Sequence, residues 1–198
     1  MYPVRMPIQA LQSRGNDIRN MLSPISAASR AGGPAWQPRS GSSEFVIGMH
    51  DGSPSGSDYR EWTFATIRPD VRAQYFERWL KFEERGREHW YLERAYLNIY
   101  KVRRASPDLS EFLCLHCDPV ATADEAENET QRESLEKQAH YKRHPHLHII
   151  AAETPFPHAH IALQVGFLDQ VLGSTESLTK AMGCAVQLIR DEIFDAMD

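Results

Sequence analysis

Cysteine is scarce. The three present, Cys114, Cys117 and Cys184, form no even-numbered disulfide framework and suit a reducing compartment. Long apolar runs are missing too, and none approaches the roughly 18 residues a membrane helix needs. The N-terminus lacks the apolar core of a signal peptide, so the expected location is the cytoplasm. Basic charge is in deficit, with 22 Lys and Arg against 27 Asp and Glu and a net charge of −5. Phosphate contacts need a basic surface, which sets aside a general nucleic-acid binder while leaving room for a local basic patch. No internal repeat is found. What remains is an ordinary globular composition, 41% hydrophobic and 25% charged over 198 residues, enough to bury a real core.

Residues 1–43 differ in character from the rest. Ser23–Ser43 is dense in Ser, Ala, Gly and Pro and reads as a linker. Before it, Ile8, Leu11, Ile18, Met21, Leu22 and Ile25 fall near helical spacing. This region is expected either as a flexible tail or as an amphipathic segment that docks on a partner protein or on the chain's own core. Residues 44–198 are expected as one domain with an acidic insertion near 120–142.

Within that domain, Glu44–Met49 and Trp62–Ile67 read as strands. Pro69-Asp70 is expected to open a helix whose stripe is Val71, Tyr75, Trp79 and Phe82 and which fades near Gly86. His89–Arg103 is the longest alternating stretch, with Ala95, Leu97 and Ile99 on one face and Arg94, Tyr96, Asn98 and Tyr100 on the other. Glu111–Asp118 follows as a strand carrying Leu113, Leu115 and Cys117 on one face and Cys114, His116 and Asp118 on the other. Leu178 to Met197 has the apolar period of an amphipathic helix, with Cys184 expected as a small residue packed beside its stripe. The fold class expected is α+β: a mainly antiparallel sheet of about five or six strands, helices on one face, and a flexible N-terminal segment before it.

The most informative stretch is Arg143–Val165, which holds five of the nine histidines. His144, His146 and His148 alternate with Pro145, Leu147 and Ile149; after a Pro-containing break, His158 and His160 alternate with Ala159 and Ile161. On strands, residues two apart share a face, so both runs would turn their histidines one way. Antiparallel pairing of the two runs would bring the histidine rows together. Inert, solvated histidines are the plain alternative, but five of one parity within so short a stretch favour a site.

Three chemistries suit such a face. Imidazoles bind transition metals such as zinc, and His146, His148, His158, His160 and His116 are the candidate ligands. The pair Cys114 and Cys117 is discounted, since strand residues three apart face opposite ways. The second is phosphoester transfer. His144-Pro145-His146-Leu147-His148-Ile149-Ile150 resembles the signature of the histidine triad family of nucleotide hydrolases and transferases. That resemblance covers seven residues, and a second His-x-His run and a long helix follow where the family normally ends. It implies attack on the α-phosphate by His146, with His144 and His148 orienting. The third is acid–base chemistry or anion binding without a metal, with Arg94, Tyr96, Tyr100 and His144 as ligand contacts.

Two function classes follow. One is a small cytoplasmic phosphoester hydrolase or transferase with His146 and His148 central, acting on a nucleotide or another phosphoester. The other is a non-catalytic accessory subunit, its N-terminal segment docked on a partner and its histidine face holding a structural metal or contacting a protein. A pH-responsive histidine cluster is a third use of the same residues.

Overall fold

The computed structural model describes residues 4–25, 35–38, 43–49, 65–102, 109–117, 146–150, 158–162 and 175–197. Its spine is a long hairpin. Strand β5 (Val71–Glu84) and strand β6 (Arg87–Val102) pair antiparallel along their whole length. Arg85 and Gly86 close the hairpin, both at positive φ (53° and 71°). Two consecutive left-handed residues match the right-handed twist of the flanking strands, which is why so long a ribbon turns on two residues.

Shorter strands line both sides of this hairpin. On the β5 side lie β3 (Glu44–Met49), with β2 (Ala35–Pro38) beyond it, and β4 (Ala65–Arg68). On the β6 side lie β1 (Arg5–Met6) and β7 (Leu109–Cys117), then β8 (His146–Ile150) and β9 (His158–Ala162). The main path runs β2-β3-β5-β6-β7-β8-β9 with every pairing antiparallel. Helix α1 (Ile8–Leu22) and helix α2 (Thr175–Ile189) cover one face, and α2 continues through a π-helical turn at Arg190–Phe194 and a 3₁₀ turn at Asp195–Met197. The architecture is α+β.

The helix expected after Pro69-Asp70 is instead β5. Val71, Tyr75 and Trp79 recur every four residues, a spacing that satisfies a helix but also keeps strand parity. Ala73 and Glu77 fill the intervening same-face positions, and all five side chains are buried. With β6 alongside to complete its hydrogen bonds, an aromatic-rich segment packs better on a pleated sheet than on a helix.

Residues 4–25 are not a loose tail. Leu11, Ile18 and Leu22 of α1 are buried in the same core as Leu97, Ile99, Leu113 and Leu115 of the sheet and Leu178, Met182 and Val186 of α2. Burying such side chains is worth about 1.5–3 kcal/mol each, enough to hold a helix that begins without a side-chain cap. The linker residues 26–34 and 39–42, the 51–57 loop, Trp62–Phe64 and the acidic stretch 120–142 lie outside the described residues.

A charged cluster sits inside this apolar layer. Arg14 of α1 and Glu77 of β5 are both fully buried and pair in a fork, Nη2 to Oε1 at 2.7 Å and Nε to Oε2 at 3.1 Å. Tyr75 Oη and Trp79 Nε1 also donate to the Glu77 carboxylate, at 2.6 and 3.0 Å. Arg14 Nη1 donates to Thr179 Oγ1 of α2, whose hydroxyl donates in turn to the Thr175 carbonyl at 2.9 Å. Burial works against the Arg14 charge, but the adjacent Glu77 carboxylate outweighs it and holds the guanidinium more firmly protonated than usual.

Candidate functional site

The sheet has a second face, turned away from the helices, and two β-bulges decide what stands on it. The first inserts Glu93 into β6: Arg78 opposes Arg94, but the next residue, Trp79, opposes Leu92. Trp90 and Leu92 therefore reach the helix-side core on one parity, while Ala95, Leu97 and Ile99 reach it on the other. The second bulge inserts Phe112 into β7, since Ile99 opposes Leu113 but Tyr100 opposes Glu111.

Between these bulges the pairings set up four cross-strand rows. Arg78 and Arg94 form the first. Phe76, Tyr96, His116, His146 and Ala162 form the second, running from β5 to β9. Gln74, Asn98, Cys114, His148 and His160 form the third. Arg72, Tyr100 and Glu111 begin the fourth, and beyond them His158 opposes Ile150 at the same end of β8 and β9.

The register thus places His116, His146, His148, His158 and His160 on one face, with Tyr96, Asn98, Tyr100 and Cys114. Leu147 opposes Leu115 and Ile161 on the other face, where Leu147 joins the core. His148 and His160 stand directly opposite each other, as do His116 and His146. Opposed Cβ atoms on neighbouring strands are about 4.5–5.5 Å apart, close enough for two imidazoles to share one ligand. For the histidines of β8 and β9 it is the backbone that is described. His144 and Asp118 lie outside the described residues.

On the inner strands the side chains are described as well. The Tyr96 and His116 rings stack, with centroids 4.2 Å apart and planes at 25°. Cys114 Sγ donates to Asn98 Oδ1, and Asn98 Nδ2 contacts Gln74 Oε1 at 3.5 Å. Gln74, Asn98 and Cys114 are buried, so the centre of this polar face is no water-washed surface. Cys117 points into the helix-side core, which separates it from Cys114 as strand parity requires. Cys184, expected to be packed, is exposed on α2. Its neighbours Ala181, Met182, Ala185 and Val186 take the buried stripe of that helix.

Arg94 stands at the far end of the face. Its guanidinium binds the Glu93 carboxylate at 3.1 and 3.2 Å and lies 6.0 Å from the Tyr96 ring centroid. Both oxygens of Glu93 also accept from Arg78 Nη1, at 2.8 and 3.1 Å, and Arg78 Nη2 reaches Glu44. This balanced ion network engages Arg94, so it is not a bare anion clamp.

No family model matches this chain, nor does any curated protein or solved structure.

Among the described residues, no group of three or more His, Cys, Asp and Glu side chains is placed to hold a metal ion. None of the described helices is long and apolar enough to cross a membrane. The β5 residues of the second face, Arg72, Gln74, Phe76 and Arg78, and Glu111 of β7 escape a reading of the sequence. The four-residue apolar spacing around Gln74 suggests a helix. Glu111 shares the parity of Leu113 and Leu115, and only the Phe112 bulge moves it across.

Proposed function

We propose that this protein is a small cytoplasmic phosphoester hydrolase whose centre is a transition-metal ion, zinc in the first instance, held by His146, His148 and His160. The observation that carries this reading is the register of β7, β8 and β9, which sets His148 opposite His160 and His116 opposite His146 on one face. Three neutral imidazoles with an open fourth position are a common ligand set for a catalytic zinc. Such a metal would turn a bound water into hydroxide near neutral pH and would polarise a phosphoryl oxygen.

His116, its ring stacked on Tyr96, sits next to that trio and supplies a hydrogen bond to the phosphoryl group. His158, one row further on, flanks the site. Tyr100 and Tyr96 would contact the substrate.

The accessory-subunit alternative has two parts, an N-terminal segment docked on a partner and a histidine face that holds a structural metal or contacts a protein. The apolar residues of α1 are buried against the protein's own sheet and second helix, which removes the first part and leaves the second.

The test is metal content and turnover of bis(p-nitrophenyl) phosphate by the purified, untagged protein. The expected result is near-stoichiometric zinc or another transition metal that is lost in a His148→Ala, His160→Ala double variant, with turnover lost alongside. A folded wild-type protein that holds no metal after reconstitution with zinc overturns the metal site.

A further inference from the structure

The Phe112 bulge has an outcome on each face of the sheet. Leu113 is in the helix-side core and Phe112 packs against that core as well, so two consecutive residues of β7 face the helices. Glu111 and Cys114, three apart in sequence, consequently both stand on the histidine face. In an unbulged strand Glu111 would follow Leu113 and Leu115 into the apolar core. Bulges recur beside active sites for this reason: they re-aim one side chain while leaving the rest of the strand in place.

Glu111 arrives there with a partner. It stands directly opposite Tyr100 on β6. The side chain is partly buried. The row it occupies is the one next to Cys114, His148 and His160. From the strand spacing and rise, its backbone lies about 10 Å from that of His148. That separation leaves room on the face for a phosphoryl group and its ester oxygen.

We propose that Glu111 is the general acid of the histidine face, giving its proton to the oxygen that leaves phosphorus. This rests on the phosphoester reading above and adds the group that reading lacks. In the step, a hydroxide, which a metal held by the histidines would supply from water, forms the new P–O bond. The bond from phosphorus to the ester oxygen breaks, and its electron pair stays on that oxygen. The carboxyl proton of Glu111 neutralises the oxygen as it departs. Glu111 then regains a proton from solvent, and the sum is one ester and one water converted to one alcohol and one phosphate.

Burial raises the Glu111 carboxyl above the usual glutamate range, and the Tyr100 hydrogen bond pulls partly the other way. A carboxyl so placed keeps its proton closer to neutrality, as a general acid must. Among the described residues, the other ionisable groups at this end of the face are Tyr100 on β6, Arg72 on β5, Cys114 on β7, His148 on β8, and His158 and His160 on β9. Arg72 Nη1 is taken up by the Arg68 and Val71 carbonyls at 3.0 and 3.1 Å.

The experiment compares two phosphodiesters, bis(p-nitrophenyl) phosphate and diphenyl phosphate, across pH with wild type, Glu111→Gln and Tyr100→Phe. Nitrophenolate leaves well unprotonated, whereas phenolate needs a proton. Glu111→Gln is expected to slow diphenyl phosphate by roughly 10²- to 10⁴-fold and the nitrophenyl ester much less, with zinc content unchanged. The fall in rate on the alkaline side should vanish in Glu111→Gln and move to higher pH in Tyr100→Phe. Equal slowing of both esters, or an unmoved alkaline limb, overturns the assignment while the phosphoester reading stands. Wild-type protein that cleaves neither ester overturns both.

Discussion

Glu77 is the residue on which the core's polar chemistry converges. It accepts from Arg14, Tyr75 and Trp79 within an otherwise apolar layer. Removing one partner strands the other charge, so Arg14→Met alone is expected to cost about 3–5 kcal/mol. Replacing both, Arg14→Met with Glu77→Met, should recover only part of that loss, because the Tyr75 hydroxyl and the Trp79 indole N–H lose their acceptor. Adding Tyr75→Phe should recover more. Urea denaturation of the single, double and triple variants checks the order. Glu111 makes the opposite case. Its carboxyl is raised in the folded state, so the native protein holds the proton more tightly than the unfolded chain. Stability is therefore fully present below the ordinary glutamate range and falls as pH rises through the raised value. Glu111→Gln should melt higher than wild type at neutral pH, and thermal scans should show the gap closing on acidification. A substitution that gains stability and loses rate is the mark of a group kept for chemistry.

Among the elements, the β5–β6 hairpin depends most on local geometry. A methyl group added at Gly86, where φ is +71, would meet nothing within 4 Å, so the cost of Gly86→Ala is conformational alone, about 1 kcal/mol. Arg85, at φ 53, already bears that kind of strain, and Arg85→Asn is expected to raise the melting temperature because Asn tolerates the left-handed region. Thermal denaturation of the two variants should move in opposite directions. The same hairpin marks where sequence reading works and where it stops. Alternation identifies β6 and β7, sorts Leu113, Leu115 and Cys117 from Cys114 and His116, and pairs the two histidine runs on one face. It fails at β5, where a four-residue apolar spacing fits both periods, and at the two bulges, where a single inserted residue inverts parity without any signature of its own. Glu111 is invisible for that reason. The Arg14–Glu77 pair is invisible because the partners lie 63 residues apart on elements whose meeting only the fold decides.

At the scale of the molecule, the helical layer is assembled from both ends of the described chain, with α1 and α2 side by side over one sheet face. Deleting residues 1–25 would uncover Leu97, Ile99 and the apolar side of α2 together. The expected product binds a hydrophobic dye such as ANS and unfolds without a cooperative transition, and a truncated protein that melts as sharply as the full chain would refute this. The Arg14–Thr179 hydrogen bond spans 165 residues. During synthesis, therefore, the N-terminal helix leaves the ribosome long before its seat exists, and its buried arginine has no acceptor until β5 follows and no second one until α2 emerges. Until α2 follows, the apolar side of α1 stays exposed, the condition under which unfinished chains aggregate.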